Sequence, residues 1–159
     1  MSETFLMSRV GYDKLKAEVI QWENVHMPAI AEKIAAARAE GDLKENAEYH
    51  AQREAQGLLQ ARINSHKNKL ANAEIIDTST LPRDRVGFSC TVVVKDLKFG
   101  DEEEYTLVGS GEEDYNNGRI LMTSPMGMGL NGKKVGEIAE IAAPKGTIKF
   151  EIVAIKWEE

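Results

Sequence analysis

Apolar residues recur at intervals of four and three positions from Ser8 to about Asp77. This spacing places them on one face of a helix and predicts two long helical segments. The first segment should bend or restart at Pro28, because proline cannot continue the helical hydrogen-bond ladder. The repeating positions are Leu15, Val19, Trp22, His26, Ile30, Ile34 and Ala37 in the first segment, and Leu59, Ile63, His66, Leu70 and Ala73 in the second.

The two segments meet at Gly41, the only glycine between Gly11 and Gly57. A glycine just past a helix end is the usual place for a chain to reverse, so the sequence predicts an antiparallel helical hairpin. Each arm has roughly 30 residues, which at about 1.5 Å per residue gives a hairpin about 45 Å long.

After a polar, proline-ended connector at 78–82, the apolar period falls to two, which is typical of strands. Five strands are expected, at 86–94, 105–108, 120–123, 138–141 and 148–155. The segment 124–132 is long enough for one short helix, although its three glycines should make it loose. The prediction is an α+β protein: a long N-terminal antiparallel α-helical coiled-coil hairpin over residues 1–77, a linker at 78–82, and a small antiparallel β-sheet domain with one short helix over residues 83–159.

Composition narrows the class of protein. The chain has 159 residues and a formal net charge of −6, which argues against binding free DNA through bulk electrostatics. Its apolar runs fall far short of the ~20 residues that cross a bilayer, and its N-terminus does not have the pattern of a signal peptide. A single cysteine, Cys90, fits a small strand residue and a reducing compartment, so we expect a cytoplasmic protein.

The sequence offers no catalytic site of its own. His26, His50 and His66 are scattered, with no CxxC or HExxH spacing, and no phosphate loop or nucleophile motif is present. His26 and His66 fall on the apolar stripe, where histidines packed between helices are the more common case. The chain therefore looks poorly equipped as a self-contained enzyme.

Three acids, Asp42, Glu45 and Glu48, follow the turn at Gly41. Helix capping explains two of them, with Asp42 as the N-cap of the second helix and Glu45 reaching back from the third helical position. The cluster could instead bind a hard divalent cation such as Mg²⁺, weakly by itself and better when a partner supplies further ligands. Spacing alone favours the cap and leaves the cation open.

The ten residues of this turn, Gly41–His50 (GDLKENAEYH), closely resemble the tip signature of bacterial Gre transcript-cleavage factors, particularly of the GreA type. The resemblance covers almost the whole chain. It includes Gly11–Leu15, Arg53–Gly57, Leu70–Asp77, Ser124-Pro125, Gly132–Gly136 and Phe150–Ile152.

The resemblance implies that the C-terminal domain is FKBP-like and docks at the rim of the secondary channel of RNA polymerase, while the hairpin enters the channel. Asp42 and Glu45 match the two essential acids of the family. They would help hold a second Mg²⁺ shared with the polymerase, which then cuts the 3′ end of its own RNA in backtracked, arrested complexes. The chain would need no cofactor of its own and would act as a monomer without contacting a membrane.

The resemblance also gives roles to residues outside the acids. Arg53 falls where the family carries a basic residue facing the nascent RNA, and Arg38 lies at a similar distance from the turn on the opposite arm. Ordinary surface pairing with Glu40 or Glu54 explains the two arginines equally well. Ser124 and Pro125 belong to the expected polymerase-docking surface, from which Met128 and Asn131 depart in type.

Three alternatives remain beside a cleavage factor. A Gre-like protein could block the channel as an inhibitor without promoting cleavage. The FKBP-like fold raises the possibility of a prolyl isomerase, although a fold alone does not confer an activity. A coiled-coil hairpin could also serve only for dimerisation. The matched acids at the tip favour the cleavage factor, with Glu48 in a supporting role.

Overall fold

The computed structural model describes residues 3–157. These residues form a long N-terminal helical hairpin followed by a small β-sheet domain with one short helix, which confirms the predicted fold class. In chain order the elements are β1 (Phe5–Met7), α1 (Arg9–Gln21), a π-helical turn (Trp22–His26), α2 (Met27–Ala39), α3 (Ala47–Ala71), β2 (Ala73–Ile75), β3 (Thr91–Asp96), β4 (Glu102–Val108), β5 (Arg119–Leu121), α4 (Pro125–Leu130), β6 (Ile138–Ala143) and β7 (Gly146–Lys156), with 3₁₀ turns at Thr78–Thr80 and Tyr115–Asn117. Among the helices so described, none combines the length and apolarity that crossing a membrane requires.

The chain divides into two compact units. The helical unit contains Tyr12–Ala73, and the sheet unit joins Phe5–Gly11 to the chain from Glu74 onward. This grouping differs from the predicted division at 78–82 because the first strand and the segment 74–82 group with the sheet. The sheet unit is therefore built from two separate stretches of sequence.

The helical unit buries part of the apolar stripe that the sequence predicts, while most other stripe residues are half-buried and His26 is exposed. Its buried members are Leu15, Val19, Ile34, Ala37 and Ile63. The interruption expected at Pro28 is present as the π-helical turn immediately before α2, in which the Met27 N–H bonds to the Trp22 carbonyl. Pro28 then occupies the first turn of α2, where it has no N–H to donate to the preceding helical carbonyls.

The main sheet has five strands in the order β5-β4-β3-β7-β6. The central strand β3 pairs antiparallel with β4 and β7, and β6 pairs antiparallel with β7. The sheet differs from the antiparallel prediction in one pair, since β5 runs parallel to β4 with Leu107 opposite Ile120. The segment between these strands carries the chain back to the end where β4 began, a crossover that residue alternation does not reveal.

The predicted first strand of the sheet is correct in its burial and wrong in its backbone between residues 86 and 90. Val86, Phe88 and Cys90 are all buried, as the alternation predicts. The strand begins only at Thr91, because Ser89 has a φ of 74° and breaks the extended backbone. The Ser89 N–H instead donates to the carbonyl of Leu107, so the turn is anchored to β4.

Helix α4 is present where predicted, and two of its glycines lie where a side chain would not fit. An added Cβ at Gly127 would lie 2.6 Å from the carbonyl oxygen of Met122, and one at Gly129 would lie 2.8 Å from a side-chain carbon of Ile141. Both distances are shorter than van der Waals contact allows. The glycines therefore let the helix backbone pack directly against the strands, and Leu130 at its end is fully buried.

A second sheet consists of β1 and β2 alone. The carbonyl of Leu6 accepts a hydrogen bond from Ser110 N–H at 3.0 Å, and Met7 is fully buried. The Ser8 hydroxyl donates to a Glu112 carboxylate oxygen at 3.0 Å. The sequence did not predict these two strands, because the helical period assigned to 8–77 covers β2 and no alternation marks β1.

Candidate functional site

Helix α2 ends at the predicted turn. Its C-cap is Glu40, and Gly41 follows with a φ of 122°, a conformation that side chains with a Cβ rarely adopt. The Gly41 N–H bonds back to the Arg38 carbonyl at 3.3 Å. The chain thus leaves α2 and enters a short connection, Gly41–Glu45, which we call the acidic loop.

The residue that caps α3 is Asn46, and the predicted cap at Asp42 is wrong. Helix α3 begins at Ala47, with the Asn46 side-chain oxygen accepting from the Tyr49 N–H at 3.0 Å. Asp42 lies too early to cap it, and its carboxylate accepts from the Lys44 N–H within the loop, also at 3.0 Å. Glu45 consequently precedes the helix and cannot act from its third position. Asparagine and aspartate are about equally good caps, so the sequence pattern could not choose between them.

Asn46 makes a second contact that a helix cap does not require. Its side-chain nitrogen donates to the Ala37 carbonyl in the last turn of α2, at 2.7 Å. One half-buried amide therefore connects the end of α2 to the start of α3. A nitrogen of the His50 ring lies 3.2 Å from the Lys44 carbonyl and adds a second tie between α3 and the acidic loop.

Asp42 and Glu45 are both exposed on the acidic loop. Glu48 instead lies in the first turn of α3 and accepts a hydrogen bond from the side-chain amide of Gln52 at 3.0 Å. Within residues 3–157, no three His, Cys, Asp or Glu side chains gather in a group that could hold a metal ion. The donor set is therefore two exposed carboxylates, which suits a hard cation whose remaining ligands come from elsewhere.

Arg38 and Arg53 both lie near Tyr49. The Arg38 guanidinium carbon is 5.7 Å from the centroid of the Tyr49 ring. Hydrogen bonding by Arg38 lowers the pKa of the Tyr49 phenol, and the positive charges of Arg38 and Arg53 lower it further. Arg53 also donates to the side chain of Gln56 at 3.2 Å. Arg38 thus contacts Tyr49, and Arg53 contacts Gln56. The sequence had suggested pairing with Glu40 or Glu54 instead.

Ser124 and Pro125 begin α4. The Ser124 hydroxyl accepts from the Gly127 N–H at 3.1 Å and donates to the Leu121 carbonyl at 2.6 Å, while Pro125 occupies the first turn. Met128 is 63% exposed, and Asn131 closes the helix with its N–H bonded to the Gly127 carbonyl. The local role of Ser124 is therefore capping, and docking by this end of the sheet unit stays a prediction.

The remaining candidates have structural roles. Cys90 is fully buried, and burial raises the pKa of its thiol, which disfavours the reactive thiolate. His66 packs edge to face against Trp22 within the helical unit, as expected for a histidine on the apolar stripe. The prediction that His26 packs between the helices is wrong, because His26 lies on the surface with its ring 3.3 Å from the Gln21 carbonyl of the same arm.

Sequence reasoning missed Asn46 and Tyr49 as parts of the site. A signal for Asn46 was present, because asparagine is a favoured N-cap and alanine and glutamate, both good helix formers, follow it. Tyr49 gave no comparable signal, since its contact with Arg38 joins the two arms and depends on their register.

Comparison with known proteins finds related family matches for both parts of the chain. Residues 5–75 match the family described as "Transcription elongation factor, N-terminal", and residues 81–157 match "Transcription elongation factor, GreA/GreB, C-term". Transcription elongation factor GreA of Flavobacterium johnsoniae is 47% identical over 158 residues, which is 99% of this chain and 100% of that protein. The GreA of Thermodesulfovibrio yellowstonii is 45% identical over the same shares. Among solved structures, GreA factor homolog 1 of Thermus thermophilus is similar over 96% of this chain and 99% of that one, at 22% identity and a TM-score of 0.46.

Proposed function

Because this chain belongs to the GreA/GreB family of transcription elongation factors, we propose that it binds RNA polymerase at the secondary channel and stimulates cleavage of the RNA 3′ end in backtracked, arrested complexes. The chain is an elongation factor rather than an enzyme in its own right. It acts as a monomer beside the polymerase in the bacterial cytoplasm.

The observation that carries the proposal is the pair of exposed carboxylates, Asp42 and Glu45, on the acidic loop between α2 and α3. Two carboxylates at the turn of a helical hairpin can be carried into a narrow channel by the hairpin itself, while the sheet unit stays outside. They do not form a complete metal site by themselves, which fits a role in completing a site in the polymerase.

Asp42 and Glu45 would share a Mg²⁺ ion with the polymerase carboxylates. When bound, this second ion supplies charge stabilisation for phosphodiester cleavage by water. The carboxylates contribute oxygen ligands that raise the occupancy of a weakly held ion, and a carboxylate not engaged as a ligand can accept a proton from water. A negative loop can approach such a centre because bound cations reverse the local charge preference.

Arg38 and Arg53 would steady the extruded RNA close to the acidic loop. Both guanidinium groups lie near Tyr49, so the phenol ring and the two cations offer a phosphate and a base complementary surfaces. The net charge of −6 keeps this contact local, since the chain as a whole does not attract nucleic acid. The sheet unit would dock on the polymerase with the end that carries Ser124 and Pro125.

Cleavage in backtracked complexes tests the proposal. Polymerase halted on a template and backtracked with end-labelled RNA is incubated with the wild type, with Asp42→Asn and with Glu45→Gln. We expect the wild type to shorten the RNA and each substitution to reduce the rate by about 100-fold, the scale on which removing groups that stabilise transition-state charge acts. Glu48→Gln is the matched control and should retain most of the activity.

Two outcomes would contradict the proposal. Unchanged cleavage by Asp42→Asn and Glu45→Gln would show that the tip acids do not take part. Slower elongation without any cleavage product would identify an inhibitor of the polymerase.

A further inference from the structure

We propose that Asn46 is the positioning residue of the acidic loop, and that its bridge between α2 and α3 holds Asp42 and Glu45 ready to share a cation. The inference rests on the proposed function for what the carboxylates do. It goes beyond that function by assigning a role to a residue whose side chain bonds to Ala37 and Tyr49 of the two helices. Asn46 follows Glu45 directly, so fixing its side chain also fixes the end of the loop.

The two contacts of Asn46 use both halves of its amide. The oxygen accepts from Tyr49 N–H at 3.0 Å and so satisfies the start of α3. The nitrogen donates at 2.7 Å to the Ala37 carbonyl, which also accepts from the Glu40 N–H at 3.2 Å in the last turn of α2. Only an amide side chain of this length offers a donor and an acceptor at once, because a carboxylate has no proton to give and a hydroxyl is shorter.

The acidic loop has few other restraints. No backbone–backbone hydrogen bond involves residues 42–45, in a chain described from residue 3 to residue 157. The loop is instead held by side chains, with Asp42 bonded to the Lys44 N–H and His50 close to the Lys44 carbonyl. These two contacts shape the middle of the loop, whereas Asn46 joins its end to both helices.

A fixed loop matters because two carboxylates bind a cation weakly. Ordering them only at the moment of binding would consume part of the small free energy that the ion provides. Groups that orient metal ligands without touching the metal typically change metal affinity or activity by about 10–100-fold when they are removed. Asn46 should therefore affect cleavage chiefly through the concentration of Mg²⁺ that is required.

Asn46→Ser separates the bridge from the cap. Serine is a good N-cap and keeps an acceptor for the Tyr49 N–H, but it is too short to reach the Ala37 carbonyl. Asn46→Ala removes both contacts. The matched control is Asn72→Ser at the opposite end of α3, where Asn72 is also a half-buried cap residue and donates to the Asn68 carbonyl at 2.9 Å.

The first measurement does not depend on polymerase. Backbone ¹⁵N relaxation of the full chain reports the order of the amides of residues 42–45. We expect Asn46→Ser to lower their order parameters from rigid values of about 0.85 toward 0.6 or below, while Asn72→Ser leaves them unchanged. Thermal melting by circular dichroism checks that the hairpin of each variant is folded, and Asn46→Asp replaces the serine variant if serine unfolds it. Unchanged order at residues 42–45 would overturn the inference, whatever the cleavage result.

The second measurement is cleavage by the same variants over a range of Mg²⁺ concentrations. We expect Asn46→Ser to need about tenfold more Mg²⁺ for half-maximal cleavage, with unchanged affinity for polymerase in competition binding. A merely structural role would lower binding or stability and leave the Mg²⁺ dependence as in the wild type, which would count against the inference. Failure of Asp42→Asn to affect cleavage would remove the proposed function, whereas a loosened loop in the serine variant would still support the bridge.

Discussion

Trp22 and His66 meet edge to face within the helical unit, with their ring centroids 4.8 Å apart. Trp22 begins the π-helical turn and His66 lies on α3, so the contact joins the irregular part of the first arm to the second arm. The guanidinium group of Arg62 lies over the Trp22 ring, 5.7 Å from its centroid. The arrangement holds the histidine in an environment that disfavours its positive charge.

The helical unit should lose stability as the pH falls through the range in which histidine titrates. Desolvation lowers the pKa of His66, Lys69 and Arg62 lower it further by repulsion, and Glu18, 3.8 Å away, only partly opposes them. As the pH falls below about 6.5, the unfolded chain takes up the proton before the folded chain does. The contribution of neutral His66 is therefore complete above that pH and is lost between it and the lower folded pKa.

Chemical denaturation at a series of pH values between 5 and 8 measures this effect. The free energy of unfolding of the wild type should fall more steeply with decreasing pH than that of His66→Gln, which has no proton to bind at this position. Identical slopes for the two proteins would show that the folded environment does not perturb His66.

Two glycines in the helical unit should respond to alanine in opposite directions. Gly41→Ala should destabilise the hairpin by about 1–2 kcal/mol, because its φ of 122° strains any residue with a Cβ. Gly57→Ala should stabilise it by about 0.5–1 kcal/mol, since Gly57 lies inside α3 and an added Cβ meets nothing within 4 Å. Thermal unfolding followed by helical circular dichroism compares them, and effects of the same sign would refute the assigned conformations.

Gly127→Ala should destabilise the sheet unit and leave the helical unit folded. The new methyl group would lie against the Met122 carbonyl, and backbone atoms cannot move aside as the end of a side chain can. Overpacking of this kind costs about 1–3 kcal/mol. Hydrogen exchange resolved by residue should show reduced protection in β3 and β7 with unchanged protection in α3. Unaltered protection in the sheet would mean that α4 does not pack as closely as described.

Arg38→Ala should raise the pKa of Tyr49 toward the ordinary value of tyrosine, because hydrogen bonding by Arg38 is the main cause of its depression. Arg53→Ala should raise it less, since Arg53 acts only through its charge. Titration of the Tyr49 side chain by NMR between pH 8 and 12 distinguishes the two variants. An equal or larger shift with Arg53→Ala would contradict the assignment of Arg38 as the arginine that contacts the Tyr49 ring.

The sequence predicts much of the helical burial because the stripe residues share one periodicity, with His26 as an exposed exception. Leu15, Ile34 and Ile63 are all buried as the spacing of four and three requires. The end of the loop was harder to place, because Asp42 and Asn46 are equally good caps and only the cross-arm bond to Ala37 selects Asn46. That bond depends on how two helices are aligned, which no local pattern contains.

The sheet shows the same limit in a different form. Alternation correctly marks Val86 and Phe88 as buried, but it cannot distinguish an extended strand from a turn that buries the same side chains. The glycines of α4 looked like a source of flexibility because close backbone packing is invisible until the neighbouring strand is known. Burial was thus easier to predict than backbone conformation.

The pairing of β1 with β2 makes the helical hairpin an insertion between two neighbouring strands of the sheet unit. During synthesis on the ribosome, β1 emerges first, and the residues it pairs with are made much later. The hydrogen bond from Ser8, which follows β1, to Glu112 spans 104 positions. The sheet unit can close only after the whole hairpin has been synthesised. The same connectivity leaves the hairpin free to gain or lose whole helical turns during evolution, because both of its ends remain fixed in one pair of strands.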